Sequence, residues 1–208
     1  MFVAQLLFST ILLVFITLPA SASAAPFEDG LSAFERGDYA TALRIWRPLA
    51  ERDPRAATNL GVMYAAGLGV QKDAVEALRW IGPAAIVGYP NAQMHLGVMF
   101  AEGIGGRPPN YEAAAAWYQA AAEQGDPDAQ VLLAFAYSIG EGVPEDYVAA
   151  DMWVNLAADK LPPGKARHAA LQLRDQLAVK MTAAQITDAQ KLAREWTPKA
   201  AVPPPAKP

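Results

Sequence analysis

The sequence predicts an all-α solenoid of antiparallel helix pairs, because one pattern of residues occurs three times in register. Each copy contains an aromatic residue, a Gly-x-Gly segment, a polar capping residue and a tryptophan. The aromatic residues, which are 36 and then 37 residues apart, are Tyr64, Phe100 and Tyr137. The tryptophans, which are 37 and then 36 residues apart, are Trp80, Trp117 and Trp153. A period between about 20 and 50 residues is typical of a solenoid, in which one helical unit packs on copies of itself.

The amino-terminal residues have the features of a secretory signal peptide. Residues 2–18 are predominantly apolar and uncharged, and the small residues that follow include the A-x-A element Ala22-Ser23-Ala24. We expect residues 1–24 to be a signal peptide that is cleaved after Ala24, which would make the protein periplasmic or secreted. No Lys or Arg precedes the apolar run, and its length is close to the lower limit for a membrane span. An uncleaved membrane anchor is therefore the alternative.

The composition of the 208-residue chain excludes several classes of function. The sequence contains no cysteine, which excludes disulfide bonds, zinc sites made of thiolates and cysteine nucleophiles. The formal net charge is −4, and Lys and Arg are scattered singly along the chain. Nucleic-acid binding is not expected, because the neutralisation of phosphates requires a basic surface.

Residues 25–55 are predicted to form a degenerate helix pair before the three full copies. Asp38 is the predicted N-cap of its second helix, and Ala42, Ile45 and Leu49 form an apolar stripe at helical spacing. This pair has no Gly-x-Gly segment, and Ile45 stands seven residues after the cap, where the full copies have tryptophan. A terminal unit of a solenoid is often atypical, because one of its faces contacts solvent.

The first helix of each full copy is called helix A here, and the second is called helix B. In the first copy, helix A has a predicted buried stripe of Ala56, Leu60, Met63 and Tyr64. Gly61 lies within this helix, where glycine costs about 1 kcal/mol relative to alanine. We therefore expect Gly61 to permit a close crossing of two helices.

The loop and helix B of the first copy carry clear boundary signals. Gly67 suits the left-handed position that ends helix A, and Gly69 permits the return of the chain. Asp73 is the predicted N-cap of helix B, and Glu76 is expected to complete a capping box. The predicted buried face of helix B combines one large ring with small residues, namely Ala77, Trp80, Ala84 and Ala85.

The same roles recur in the other copies, and the predicted repeats span residues 56–90, 91–127 and 128–161. The second copy has one extra loop residue, and Ala134 replaces the helix A glycine in the third. Residues 162–199 are predicted to form a carboxy-terminal capping helix pair. Residues 200–208 contain three consecutive prolines and are predicted to be an extended, disordered tail.

The two helices of the carboxy-terminal cap are predicted from their apolar stripes. The stripe of the first consists of Ala166, Ala170, Leu173 and Leu177. Thr182 is the predicted N-cap of the second, and Gln185 completes a capping box. The predicted buried face of the second helix consists of Ile186, Ala189, Leu192, Ala193 and Trp196.

The repeated residues resemble the Sel-one-like repeat family, which is related to the tetratricopeptide repeat. The family pattern is A-x-x-x-L-G-x-x-Y, then G-x-G-V, then D-x-x-x-A-x-x-W and a closing Ala-Ala with Gly, and residues 56–88 fit it without a gap. The pair at 25–55 is closer to a tetratricopeptide repeat. The resemblance implies a right-handed superhelix that binds other proteins, in which the motif residues are packing residues. Exported bacterial members often serve envelope assembly or signalling.

No catalytic, cofactor-binding or metal-binding residue is predicted. The Gly-x-Gly segments do not continue as G-x-G-x-x-G and follow no strand pattern, so helix C-caps are favoured over phosphate-binding loops. His95 and His168 lie at polar helix positions, and no second histidine is at ligand spacing. This pattern favours solvated surface histidines over a metal or proton-transfer site. We therefore expect no cofactor and no enzymatic activity.

The predicted partner-binding groove consists of helix A positions outside the buried stripe. These positions recur in each copy, so their side chains should form ladders along the inner surface of the solenoid. They are Asn59, Val62 and Ala66 in the first copy, His95, Val98 and Glu102 in the second, and Leu132, Phe135 and Ile139 in the third. An extended or helical peptide could dock along the apolar line of Val62, Val98 and Phe135. The alternative is that these side chains pack between neighbouring A helices.

These observations predict an exported, non-catalytic scaffold that mediates protein–protein interaction in the bacterial cell envelope, as an adaptor or a regulator. The expected partner is a protein or a peptide, and membrane contact is expected only through an uncleaved signal. One alternative is an envelope hydrolase that acts on cell-wall or β-lactam substrates. The exported relatives associated with such activity are cysteine-rich, however, and this chain offers no clear nucleophile. Another alternative is a structural subunit of a secretion or polysaccharide-assembly complex.

Overall fold

The computed structural model of the chain describes residues 26–103 and 105–200, and the regular elements in these ranges are ten α-helices. They are α1 (Pro26–Glu35), α2 (Tyr39–Leu49), α3 (Pro54–Ala66), α4 (Ala74–Ile86), α5 (Pro90–Glu102), α6 (Tyr111–Ala122), α7 (Pro127–Ile139), α8 (Tyr147–Lys160), α9 (Lys165–Lys180) and α10 (Ala183–Glu195). The predicted signal peptide lies outside the described residues, as does the predicted tail except for Ala200. Across the described part of the chain, no helix combines the length and the apolar character needed to cross a membrane.

The helices pack as consecutive hairpins that stack on one another. The hairpins are α1/α2, α3/α4, α5/α6 and α7/α8, and α2, α4 and α6 each also contact the helix that begins the next hairpin. The A helices form a continuous layer, because α3 contacts α5, α5 contacts α7, and α7 contacts α9. The buried side chains form two clusters that meet at α5, where Leu96 and Met99 belong to one and Met94 to the other. The predicted all-α solenoid of helix pairs is confirmed.

The two helices of each hairpin approach closely where a small residue of the first faces a large residue of the second. A Cβ atom on Gly61 would lie 2.5 Å from Cγ1 of Ile81, and one on Gly97 would lie 2.6 Å from the ring of Tyr118. The predicted role of Gly61 is therefore confirmed. In the degenerate first hairpin, a Cβ atom on Gly30 would collide with the indole of Trp46.

In α4 and α6 the largest buried side chain is not the predicted tryptophan, whereas Trp153 of α8 is buried, with 7% of its surface exposed. Ile81 is 1% exposed and Val154 is fully buried, whereas Trp80 and Trp117 are only half-buried. In α2, Trp46 is fully buried and the adjacent Ile45 is half-buried. At 100° per residue, the position one residue after the tryptophan points closer to the centre of the face that meets helix A. The tryptophan lies at the edge of this face.

The loops between helices A and B are closed by backbone hydrogen bonds. Gly67 ends α3 in the left-handed conformation, with a φ of 73°, as predicted. The N–H of Asp73 donates to the carbonyl of Tyr64 at 2.9 Å. Because this N–H is already bonded, the predicted capping box with Glu76 does not form, and Glu76 pairs with Arg79 instead. The equivalent bonds of the other copies run from Asn110 to Phe100 and from Asp146 to Tyr137.

Two further features join each repeat to the preceding one. The second glycine of the loop packs against the start of the previous B helix, where a Cβ atom on Gly69 would lie 2.6 Å from Cβ of Tyr39. The other link is a buried glutamine near the start of helix A. Nε2 of Gln93 donates to the carbonyl of Ala85 at 3.3 Å, and Nε2 of Gln130 donates to that of Ala122 at 3.2 Å.

The last two helices differ from the preceding hairpins. Both α9 and α10 pack against α8, and α9 also contacts α7, so α9 takes the place of a further A helix. The capping box of Thr182 and Gln185 is confirmed. Leu192, which was predicted to be buried in α10, is 45% exposed. Leu192 is exposed because only a narrow stripe of α10 is buried, and Ala189 in this stripe is fully buried.

The close approach at Gly97 leads to a first prediction about stability. We expect Gly97→Ala to lower the free energy of unfolding by about 1–3 kcal/mol, because the added methyl group meets the ring of Tyr118. In the background of Tyr118→Val, the same change should cost much less, since the third hairpin has Ala134 and Val154 at these positions. Urea unfolding followed by circular dichroism measures both values. An equal cost of Gly97→Ala in the two backgrounds would contradict the assignment of this contact.

Candidate partner-binding surface

The nine residues of the predicted groove lie on the three A helices α3, α5 and α7. On each helix they are separated by three or four residues, so they share one helix face. Because α3 contacts α5 and α5 contacts α7, these faces are adjacent along the inner surface. We call this surface the inner face.

The inner face contains a concavity of about 270 Å³ between α3 and α5. Five of the nine predicted residues line it, namely Val62, Ala66, His95, Val98 and Glu102. Lys72, which the sequence argument did not select, also lines it from the loop after α3. The other four predicted residues, namely Asn59, Leu132, Phe135 and Ile139, are not part of its wall.

The apolar residues of the inner face fall into two groups. Val62, Val98 and Leu132 are half-buried and pack against the two core clusters. Phe135 and Ile139 are 50% and 49% exposed, and they belong to neither cluster. They are four residues apart on α7, which places their side chains side by side. The first group therefore contributes to packing between A helices, whereas the second presents an apolar surface to solvent.

His95 is not the solvated surface residue that the sequence suggested. Its side chain is half-buried, and burial lowers the pKa of its imidazole, although the carboxylate of Asp128 acts in the opposite direction. The imidazole is accordingly neutral at pH 7, because its ordinary pKa of about 6.5 is already below that pH. The prediction failed because the polar character of a helix position does not show how neighbouring helices pack around it. His168, in contrast, is exposed.

Acidic groups flank the inner face at both ends of the A helices. Burial, together with the nearby carboxylates of Glu102 and Glu141, raises the pKa of Tyr118 to about 12. Both carboxylates therefore lie near the ends of α5 and α7. At the opposite end, Asp128 lies close enough to His95 to affect its pKa. Asp128 and Glu141 thus stand at or just beyond the two ends of α7, the helix that carries the second group of apolar residues.

A larger cavity of about 620 Å³ lies beside the lengthened loop of the second repeat. Its lining includes Leu78, Phe100, Pro108, Tyr111 and Gly142, which come from all three repeats. The extra loop residue of the second repeat was evident from the sequence, but a cavity beside it was not predicted. We assign no site to it, because the loop that bounds it contains Ile104, which lies outside the described residues.

One buried and one half-buried carboxyl group were not anticipated from the sequence. Asp151 is 3% exposed and accepts a hydrogen bond from Nδ2 of Asn155 at 3.0 Å, and burial raises the pKa of Asp151. Burial also raises the pKa of Asp126, which caps α7 by accepting from the N–H of Ala129. Both side chains thus have structural partners. Within residues 26–103 and 105–200, no group of three or more His, Cys, Asp or Glu side chains could hold a metal ion.

The chain is similar in sequence to a known protein and in structure to solved proteins. The chain is 30% identical over 127 residues to the uncharacterized protein NMB1327 of Neisseria meningitidis serogroup B, and the match covers 61% of this chain and 26% of that protein. Its structure is similar to that of c5321, a protective antigen of uropathogenic Escherichia coli strains with an SLR fold. The identity there is 27% and the TM-score is 0.54, with 82% of this chain and 44% of that chain covered. The chain thus spans less than half the length of each of these relatives.

A second solved structure is similar over most of its own length. It is a Sel1 repeat protein from Oxalobacter formigenes, with 32% identity, a TM-score of 0.50, and coverage of 71% of this chain and 96% of that chain. The model of the Sel1 repeat matches residues 54–89, 90–126 and 127–160. Sel1 repeat proteins generally mediate protein–protein interaction, and their fold is typically a non-catalytic scaffold. Since the three matched repeats cover more than half of the 208 residues, the chain belongs to the Sel1 repeat family.

Proposed function

We propose that this chain is an exported scaffold of the bacterial cell envelope that binds a peptide segment of another protein on its inner face. The observation that carries the proposal is the exposure of Phe135 and Ile139, side by side on α7. A single exposed apolar side chain is normal, but adjacent large ones are typical of an interaction surface. Binding without catalysis agrees with the general role of Sel1 repeats.

The charges around the inner face suggest the chemistry of the bound segment. Three acidic residues belong to the inner face or stand at or just beyond the ends of α7, namely Glu102, Asp128 and Glu141, and the whole chain carries a formal net charge of −4. Complementary charges favour association and disfavour the wrong partners. We therefore infer a segment in which apolar side chains fit against α7 and flanking Lys or Arg side chains approach the carboxylates.

The proposed surface can be tested by site-specific crosslinking followed by an affinity measurement. A photoreactive amino acid at position 135 in living cells should link to one defined protein segment, and the same amino acid at position 75 should not. Val75 is a matched control, because it is 71% exposed but lies on α4, outside the inner face. The linked segment is then synthesised as a labelled peptide for a fluorescence anisotropy titration.

We expect Phe135→Glu to weaken the binding of this peptide at least tenfold, because the change removes an apolar contact and places a carboxylate against the apolar side chains of the peptide. Val75→Glu should leave the affinity unchanged. Replacement of the Lys or Arg residues of the peptide by Ala should also weaken binding and reduce its dependence on salt. Equal affinities for Phe135→Glu and the unchanged chain, with both folded by circular dichroism, would refute the inner face as the binding surface.

Support for export is the apolar run at residues 2–18 and the small-residue site that follows it. When the full chain is expressed in a Gram-negative bacterium, we expect a periplasmic form whose amino-terminal residue is Ala25, as determined by sequencing and intact mass. Ala24→Asp should block cleavage, because the site requires a small residue at this position, whereas Ala25→Asp should be processed normally. A chain that stays in the cytoplasm at its full mass would show that the proposal of export is mistaken.

A further inference from the structure

The chain that follows α10 crosses the ends of two neighbouring B helices, and we call residues 196–199 the strap. Trp196 packs edge to face against Trp153 of α8, with 5.9 Å between the ring centroids. The ammonium of Lys160, the last residue of α8, lies 5.0 Å from the centroid of the Trp196 ring. The beginning of the strap is therefore held by α8.

The end of the strap is held by Glu123, the residue that follows α6. The N–H of Lys199 donates to the carbonyl of Glu123 at 2.7 Å, and the ammonium of Lys199 pairs with the carboxylate of Glu123 at 2.6 Å. Partial burial acts to raise the pKa of Glu123, but the hydrogen bonds from Lys199 and Gln119 outweigh it and lower this pKa. The carboxylate is therefore charged at neutral pH.

The strap and the end of α8 both contact the turn that connects α6 to α7. A Cβ atom on Gly125 in this turn would lie 3.5 Å from Cη2 of Trp196 and 3.7 Å from Cβ of Pro198. The ammonium of Lys160 donates to the carbonyl of Gly125 at 3.4 Å. The strap thus bridges α8 and the end of α6.

The two helices that the strap bridges have little contact of their own. In the described part of the chain, α6 and α8 hardly contact each other, whereas α7 contacts both of them. On the other side of the hairpins, the A helices α5 and α7 contact each other directly. The strap therefore joins neighbouring B helices at a junction where the A helices are already joined.

Such a bridge affects the curvature of the solenoid. The curvature follows from the rotation between consecutive repeats, which depends on the spacing of the B helices relative to that of the A helices. By joining α6 to α8, the strap fixes the spacing of the B helices between the second and third repeats. At the preceding junction, the residue 37 positions before Glu123 is Ile86, which is 76% exposed and cannot form an ion pair.

We propose that the strap is a releasable tie that fixes the curvature of the solenoid between the second and third repeats, with the ion pair of Lys199 and Glu123 as its fastening. The side chain of Lys199 is 69% exposed, and exposed ion pairs contribute little to stability. The strap can therefore leave the surface while the hairpins stay folded. The ends of α6 and α8 are then free to move apart, which changes the angle between α5 and α7 on the inner face. This inference does not depend on what the inner face binds.

The absence of cysteine from the sequence allows two spin labels to be placed without background. Ala66→Cys and Ile139→Cys put labels at exposed positions at the ends of α3 and α7, across the inner face. In the full chain, we expect double electron–electron resonance to give a narrow distribution of the distance between the labels. Lys199→Glu, which places a second carboxylate beside Glu123, should at least double the width of this distribution.

Two further variants control for charge and for the pairing itself. Lys191→Glu makes the same charge change at an exposed position of α10 and should leave the distribution unchanged. The combination of Glu123→Lys with Lys199→Glu restores an ion pair of opposite polarity and should return the distribution to its original width.

Hydrogen exchange of the backbone amides shows whether the strap has opened. In Lys199→Glu, the protection factor of the amide at position 199 should fall at least tenfold, and those of Gly125 and Asp126 should also fall. The amides of Gly88 and Tyr89 form the same backbone hydrogen bonds in the turn after α4, so they provide the unchanged reference within the molecule.

Each other result overturns the proposal. An open strap with an unchanged distance distribution would mean that the curvature does not depend on the tie. Protection at position 199 that survives Lys199→Glu would mean that the ion pair is not the fastening, and a distribution that stays broad after the charge swap would mean the same. A loss of helix by circular dichroism in Lys199→Glu would mean that the strap cannot be released while the hairpins stay folded.

Discussion

The close approach of two helices within each hairpin is the constraint on which the rest of the structure depends. Gly61 leaves room for Ile81, and Gly97 leaves room for the ring of Tyr118. Glycine inside a helix costs about 1 kcal/mol relative to alanine, so this cost must be offset by the packing that it permits. Once the hairpin is closed in this way, the loop is short enough for the N–H of Asp73 to reach the carbonyl of Tyr64 at 2.9 Å. The same geometry then orients helix B for contact with the next helix A.

Contacts between repeats use the backbone of one unit and a side chain of the next. The amide of Gln93 binds the carbonyl of Ala85, and the loop glycine Gly69 rests against Tyr39. Oε1 of Gln93 accepts from Nε2 of Gln124 at 2.8 Å, whereas Oε1 of Gln130 is buried without a protein partner. The position equivalent to Gln124 in the third repeat is Leu161, which cannot donate a side-chain hydrogen bond. The last repeat is thus the point at which the regular pattern of polar contacts ends, and there α9 and α10 replace a further hairpin.

The sequence predicted the architecture well because its signals are local and occur three times. Periodicity located the hairpins, and the caps at Gly67, Asp73 and Thr182 depend on residues that are close in the chain. The errors concern contacts with distant residues. Helical periodicity alone could not decide whether Trp80 or Ile81 faces Gly61, because the two are adjacent on the helix surface. His95 and Asp128, whose carboxylate acts on the imidazole, lie on different helices, and the return of Lys199 to Glu123 joins residues 76 positions apart, for which no local signal exists.

Because of these constraints, the residues that pack the solenoid differ from the residues that could contact a partner. On α7, Ala129, Gln130, Leu133 and Ala134 are buried by contacts that the solenoid needs. Such positions can vary little without a loss of stability, so they cannot distinguish one partner from another. Phe135 and Ile139 are free of those contacts and yet apolar. Specificity in a repeat protein therefore depends on the few positions that neither the hairpin nor its neighbours use. On the inner face of this chain, the exposed large apolar side chains at such positions are Phe135 and Ile139 of α7.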